Sequence, residues 1–513
     1  MALRRGFRIA LWTAGGLMLV IAVTVTVLVL RFKPVARDYI ISTLKEHYRS
    51  DVELGGLEIS LFPAVHAGLD HLVLRRPNQK SQPPLISIRR LSFDTGFTDF
   101  FQYPKRIRHV RLEGLEINVP PKSKQPEQSQ AGGSPNIAFL LDEVTADGTL
   151  LKTLPQDPKK QPLVFAIKQL TLHSVGRGTP MTFHAELNNA KPPGFIHSDG
   201  RFGPWNPDEP GDTPVSGDYT FANADLSVFK GITGILSSSG NYQGQLDRIE
   251  VHGTTDVPQF ALTLANHPIH LRTSFEATVD GTDGDTVLHP VRALLDDSPF
   301  EVSGAIERGA LETHKEINLT AVARHAQIQD FLRLAVSAPR PPMTGLIHFD
   351  TRVKIPPGET PVVTRLQLDG SFGLNGVKFT GPDVQAKIAS LSHHAQGDPK
   401  NTETNDVAAE FAGRFQLRSG TLTLPRLNFE VPGAKVRLSG TYELQSGDID
   451  MKGTARLDAT ISQMATGIKS KLLRPIDPLF RKNGAGASVP ITISGTRGSP
   501  SFKLDIGRVL SRF

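Results

Sequence analysis

AKVRLSGTYEL, residues 434–444, and IDMKGTARLDATI, residues 449–461, decide the fold. In the first, Ala434, Val436, Leu438, Gly440, Tyr442 and Leu444 alternate with Lys435, Arg437, Ser439, Thr441 and Glu443. In the second, Ile449, Met451, Gly453, Ala455, Leu457, Ala459 and Ile461 alternate with Asp450, Lys452, Thr454, Arg456, Asp458 and Thr460. A period of two places all the apolar side chains of a strand on one face and the polar ones on the other. With a turn at Gln445, Ser446, Gly447 and Asp448, the two stretches read as a long antiparallel hairpin with one apolar face. At about 3.3 Å per residue each strand would reach some 35–40 Å, well beyond the usual five or six residues.

The same alternation recurs in LRTSFEATV (271–279) and IHFDTRVKI (347–355), so it belongs to the body of the chain. A second recurrence is a glycine followed two residues later by a large apolar residue: Gly217 and Tyr219, Gly240 and Tyr242, Gly304 and Ile306, Gly370 and Phe372, Gly413 and Phe415, Gly440 and Tyr442. Glycine inside a strand marks a bend, a bulge or a close backbone approach. Its repetition predicts a sheet curved at a similar height on many strands. LGGLEISLFP (54–63) and LEGLEINVPP (112–121) read as two more units of that pattern, through Gly56 with Ile59 and Gly114 with Ile117.

Near the N terminus, Ile9 to Leu30 carries no charge and as a helix would extend about 33 Å, against a hydrocarbon core of about 30 Å. The run is longer than the apolar part of a secretory signal and leads into Leu30, Arg31 and Phe32 rather than a small-residue cleavage site. It reads as an uncleaved membrane anchor. Arg4, Arg5 and Arg8 on one side balance Arg31, Lys33 and Arg37 on the other. A large body translocates whatever its charge, so the short tail is expected in the cytoplasm and the body outside. The absence of cysteine fits an oxidising compartment and removes thiol chemistry. KPVARDYIISTLKEHYRS (33–50) follows as a short amphipathic helix, with Val35, Tyr39, Leu44 and Tyr48 at helical spacing. It either caps the first sheet or lies at a lipid surface.

Residues 120–136 form a linker rich in proline, glycine and glutamine, and 155–162 and the proline-dense 191–214 read as two further loops. In SQMATGIKSKLLRPIDPLFRKNGAG (462–486), Met464, Ile468 and Leu472 predict a helix stopped by Pro475 and Pro478, and made basic by Lys469, Lys471, Arg474, Arg481 and Lys482. Plugging the end of the sheet is the favoured role for it, with anionic lipid contact as the alternative.

Arg4, Arg5, Arg8 and Arg31 account for four of the net +6, leaving +2 for the rest of the 513 residues, too little for a phosphate-binding stripe. No nucleic-acid partner is expected. The chain has no P-loop, dinucleotide fingerprint, G-x-S-x-G elbow or H-E-x-x-H. His267, His270, His393 and His394 lack a carboxylate cluster in sequence, and Asp280, Asp283 and Asp285 lack EF-hand spacing, so surface or turn histidines are expected at the former and a glycine-rich turn at the latter. No catalytic, metal or cofactor site is expected, and the chain reads as a non-enzyme.

The block from Gly420 to Ile461 resembles the C-terminal region of the AsmA-like family. The likeness is carried by Leu427, Phe429, Pro432, Gly433, Ala434 and Val436, and then by Gly440, Tyr442 and Leu444. RPIDPLFRKNGAG (474–486), LDGSFGLNGVKFTGPDVQAKIASLS (368–392) and the order of anchor, helix and G-G-L-x-I-S-L-F-P strand are similar too. The resemblance implies an inner-membrane, single-pass protein with a periplasmic body, linked to outer-membrane biogenesis, whose larger relatives carry phospholipid along β-grooves. This chain is shorter than those.

The expected fold is therefore mostly β: a transmembrane helix, then a long, curved antiparallel sheet forming a groove, with a few short helices. The expected divisions are 1–32 for tail and anchor, 33–119 for an N-terminal region, 120–136 for the linker, 137–360 for the middle and 361–513 for the C-terminal region. Val436, Leu438, Tyr442, Leu444, Ile449, Met451, Leu457 and Ile461 are the expected groove lining, with phospholipid as its occupant. A sealed sandwich or barrel would show the same periodicity. The alternative function is a scaffold for outer-membrane proteins, with envelope proteins as partners.

Overall fold

The computed structural model describes residues 34–504, except 36, 43, 46–49, 61–64, 77–82, 97–104, 120–138, 155–161, 177–179, 205–208, 309–313, 402, 404–406, 467, 482–485 and 497–498. The N-terminal third comprises β1 (Asp51–Ser60), β2 (Val65–Arg75), β3 (Ile86–Thr95), β4 (Lys105–Val119), β5 (Phe139–Thr153), β6 (Leu163–Val175) and β7 (Met181–Ala190). The middle comprises β8 (Pro193–Phe202), β9 (Pro214–Asp225), β10 (Ile232–Thr233), β11 (Ile235–Gln245), β12 (Arg248–Leu262), β13 (Ile269–Val279) and β14 (Thr286–Leu295). The remainder comprises β15 (Ser298–Glu307), β16 (Glu316–Gln327), β17 (Met343–Ile355), β18 (Gln367–Phe379), β19 (Ala409–Arg418) and β20 (Thr421–Val431). It ends with β21 (Ala434–Glu443), β22 (Asp448–Leu457), β23 (Ala487–Thr496) and β24 (Ser499–Leu504).

These strands make one long, open, curved sheet. Each pairs with the next in the chain, except that β9 pairs directly with β11 while the two-residue β10 lies beside the end of β12. At about 4.8 Å per strand the sheet follows a path of roughly 105 Å from β1 to β24. The pairing is antiparallel, as expected, but for one junction: β4 and β5 are parallel. Parallel neighbours need a connection of about a dozen residues or more, and residues 120–138, which hold the expected linker, have that length.

The expected hairpin is present with shorter strands. β21 stops at Glu443 and β22 at Leu457, so Leu444 and Ile461 lie beyond the strand ends. Ten residues each give about 33 Å. The 191–214 stretch is not one loop, because β8 runs through it from Pro193 to Phe202. Its prolines sit at the strand start, where a missing N–H is tolerated, and Gly194, Ile196 and Ser198 alternate with exposed Phe195 and His197 behind them.

The period of two is broken in a regular way. Leu54 and Leu57 pair with Leu72 and Leu69, and those pair in turn with Ile88 and Leu91. Ile88 and Leu91 then face Leu115 and Leu112. On each strand the two inward residues are three apart, with two outward residues between them. Where the backbone turns left-handed, it does so at His71 and Gly114, with φ of 52° and 63°. This explains the echo between LGGL and LEGL: at both, the register is kept but one pair is left out of the ladder, a more specific feature than a shared curved strand. The same spacing recurs at Val257/Phe260, Leu288/Val291 and Leu424/Leu427, where Pro258, Pro290 and Pro425 occupy positions that need no ladder hydrogen bond.

The strand ends on the side of Asp51 form what is here termed the proximal rim. The helical residues 34–35, 37–42 and 44–45 lie there, as do α1 (Ile328–Ala335), α3 (Pro382–Ala395), α4 (Ile468–Leu473) and α5 (Asp477–Phe480), whereas the single turn α2 (Val362–Arg365) lies on the distal rim. In the N-terminal helix Ile40, Ile41 and Leu44 pack on the sheet and Arg37 donates to the Leu54 carbonyl at 2.6 Å. Val35 and Tyr39, expected on the same face as Leu44, are exposed. The expected anchor, residues 9–30, lies outside the described residues; among the described residues no helix is long and apolar enough to cross a membrane.

Two buried clusters result. One joins the inward residues of β1 to β7, and the other those of β16 to β23 with α3 and α5.

Candidate functional site

One face of the sheet is apolar along its whole path. At the C-terminal end Ile491, Gly453, Leu438, Leu427, Gly413 and Phe372 follow one another across adjacent strands. The opposite face carries cross-strand ion pairs such as Glu53 with Arg75, Arg111 with Asp147 and Glu316 with Lys354. The apolar face is the concave one: a Cβ on Gly440 would lie 2.0 Å from the Asp450 carbonyl oxygen, and one on Gly453 1.8 Å from that of Arg437. Strands that close in on one another on this side leave no room for a side chain at the bend.

Between the two clusters, over β8 to β14, the concave face is covered only toward the proximal rim, where Val257, Ile269, Val291 and Leu295 are buried and α1 packs on β12 and β13; farther toward the distal rim Ile196, Phe221, Val251, Phe275 and Leu288 are half-buried. Here the Gly-x-Tyr motifs acquire a role that periodicity did not reveal. Gly217 faces Tyr242 across the β9–β11 junction and Tyr219 faces Gly240, so each tyrosine lies opposite the other motif's glycine. The Tyr242 ring spans Gly217 and its hydroxyl reaches Ser198 Oγ on β8 at 2.7 Å. Tyr219 runs the other way, to Ser238 Oγ at 3.1 Å. Phe183 and Phe275 cover Gly200 and Gly253 in the same manner. Four rings thus form an aromatic floor over glycines from β7 to β13. Gly370 with Phe415 and Gly413 with Phe372 repeat the exchange between β18 and β19.

The floor's polar atoms are hydrogen-bonded among themselves. Ser198 Oγ donates to the Asp218 carbonyl at 3.0 Å, and Ser238 Oγ to that of Thr254 at 2.9 Å. Each serine has a single proton, so each tyrosine must be the donor to its serine. Burial pushes both phenols above their usual range, and for Tyr242 the nearby Asp218 and Asp199 carboxylates add to the effect. Both remain protonated at neutral pH.

The eight expected lining residues share the concave face without forming one open site. Val436, Leu438 and Leu457 are buried in the C-terminal cluster, and Met451 and Ile461 pack against it. Ile461 does so from a turn. Tyr442 and Ile449 pair with each other toward the distal rim and are half-buried, as is Leu444 just past the strand. The cover over this cluster comes from the rim. Ser392 Oγ on α3 donates to the Pro432 carbonyl at 2.8 Å, Ala459 N to the Ala395 carbonyl at 2.8 Å, and Phe480 on α5 is only 2% exposed. Phe480 therefore does the plugging expected of the terminal helix, while Leu472, expected on its apolar stripe, is 71% exposed. Phe331 on α1 stacks edge-on against Phe300 and Phe349 at 5.8 and 5.3 Å, and the same helix reaches back over the proximal ends of β12 and β13.

The candidate chemical groups are turn and surface features. Asp280 accepts from Thr282 N at 2.7 Å, Asp283 from Asp285 N, and Asp285 from Arg308 N. His270 contacts Asp256 at 2.6 Å, and His393 and His394 contact backbone carbonyls at 2.7 Å. Among the described residues no group of three or more His, Cys, Asp or Glu could hold a metal ion. Comparison with protein-family models, curated proteins and solved structures finds no match to this chain.

Proposed function

We propose that this chain shields phospholipid acyl chains along its concave face, as a membrane-anchored periplasmic protein that takes part in outer-membrane biogenesis in the manner of the AsmA-like family it resembles. The observation that carries this reading is the apolar concave face of an open sheet, which away from the proximal rim keeps Ile196, Phe221, Val251, Phe275 and Leu288 only half-buried between β8 and β14. Exposing an acyl chain costs about 0.8 kcal/mol per methylene, so about 15 methylenes amount to about 12 kcal/mol, and cover is needed along the whole path. The exposed Val35 and Tyr39, close after the apolar run 9–30, suit a lipid surface at the proximal rim.

The test is photo-crosslinking in membranes from Ile196 and Phe275, with His197 and Glu276 as outward-facing controls. Lipid adducts at the first pair alone are expected. Adducts at neither pair in a folded protein would sink the reading. Polypeptide adducts instead would favour the scaffold alternative, which the open edges β1 and β24 support: among the described residues each pairs on one side only.

A further inference from the structure

The tyrosine and serine hydroxyls of the aromatic floor have a donor and acceptor balance that selects among lipids; beside them the Thr255 and Thr273 hydroxyls pair with each other at 2.6 Å. The serine protons go to backbone carbonyls and the tyrosine protons go to the serines. What the two phenol oxygens have left is lone pairs. A group that sits on the floor can therefore donate hydrogen bonds to it but cannot receive any from Tyr219, Tyr242, Ser198 or Ser238. The rings themselves lie along the sheet. Tyr242 starts on β11, crosses Gly217 on β9 and ends at Ser198 on β8. Two strand spacings are about 9.6 Å, more than an upright side chain could bridge. The hydroxyl of Tyr219 reaches to within 2.6 Å of where a Gly253 Cβ would stand, again two strands away. Rings laid flat turn a negative π-face toward the groove, which attracts cations. Directly behind them, on the convex face, Asp199 and Asp218 are paired across β8 and β9 and add negative charge.

We infer that the β8–β13 floor is a headgroup station for lipids bearing a hydrogen-bond-donating ammonium, and that it discriminates against lipids whose headgroup offers only an anionic phosphate and neutral hydroxyls. This rests on the lipid-shielding reading and adds a specificity to it. Acyl chains would lie along the apolar face on either side, while the ammonium meets the two phenol oxygens and ring faces.

Full-length protein in detergent is incubated with vesicles of equal parts phosphatidylethanolamine and phosphatidylglycerol with identical acyl chains, repurified, and its bound lipid quantified by mass spectrometry. Enrichment of the ethanolamine lipid by roughly fivefold is expected, about the effect of one ordinary hydrogen bond. In the double variant Tyr219→Phe with Tyr242→Phe the rings still cover the glycines but the acceptors are gone. Enrichment should fall to near unity with total bound lipid unchanged. Bound lipid that mirrors the vesicles, or enrichment that survives in the double variant, overturns the station and leaves lipid shielding standing. Protein that takes up no lipid at all overturns the shielding reading itself.

Discussion

The middle of the sheet and its C-terminal part are built from the same alternating strands, yet one is open and the other is sealed. Over β16 to β23 the concave face is covered by residues that leave the strands at the proximal rim: Phe331, the buried side of α3, Ile461 and Phe480. Over β8 to β14 the connections at that rim insert no α-helix of their own, cover reaches only the proximal ends of the strands through Leu226, Ala265 and α1, and the rest of the face is lined by rings lying on glycines. Whether an apolar face becomes core or groove thus depends on what is inserted between strands, not on the strands themselves. An inserted helix brings its own apolar stripe and completes a layer; a tight turn brings nothing to bury.

The largest test of this contrast is removal of the cover. Phe480→Ala empties a fully enclosed site and should cost about 3–5 kcal/mol, the usual range for such a truncation. The loss should be local, with early proteolysis around α3 to α5 while the β8–β14 amides keep their protection. Global unfolding together with the middle segment would show that the two regions are one cooperative unit.

A smaller effect is expected from filling a floor glycine. A Cβ at Gly217 would stand 2.4 Å from the Asp199 carbonyl oxygen and 2.9 Å from both Gly200 Cα and the Tyr242 hydroxyl. Gly217→Ala must push β8 and β9 apart or lift the ring, at about 1–3 kcal/mol. Urea denaturation should show the loss; a neutral Gly217→Ala would mean that the floor is not closely packed. In β1 to β4 the alternation is broken differently, at sites such as Gly114 where the backbone turns left-handed without a shift of register, and Gly114→Ala tests that device. At φ 63° the residue is left-handed, and alanine there costs about 1–2 kcal/mol, with Arg89 Cβ 3.1 Å away able to give a little. The ranking Phe480, Gly217, Gly114 is itself the prediction.

Much of this was readable in the chain. Strict alternation in 434–444 and 449–457 gave the face and the pairing, and the recurrent glycines gave the curvature. What could not be read depended on register. That Tyr242 meets Gly217 rather than Gly240 is decided by which residues stand opposite, and the motif alone holds no such information. Bulges hid for a similar reason: in LPRL or VPQF the inward residues are three apart, which breaks a period-two pattern and looks like the end of a strand. β8 hid behind its prolines, and the parallel β4–β5 junction behind the long connection that permits it. Leu438 and Leu457 alternate onto the apolar face, and there they are buried in a cluster joined by α3 and α5, whose sequences lie some distance away.

The smallest expected effect sits where the N-terminal cluster gives way to the open middle. His184 on β7 and Asp199 on β8 meet on the convex face at 2.7 Å, and the hydrogen bond to Asp199 raises the imidazole's pKa above its ordinary value, with Glu186 assisting. A pKa raised in the folded state means that the protonated form is favoured by folding. The contribution is therefore fully present below the unfolded value of about 6.5 and disappears as pH rises through the higher folded value. Asp199→Asn should lower the denaturation midpoint slightly at pH 5.5, with the difference shrinking steadily toward alkaline pH. NMR titration of the His184 ring should show its midpoint falling toward 6.5 in the same variant. A mutational cost that grew with pH instead would mean that Asp199 acts on the neutral imidazole.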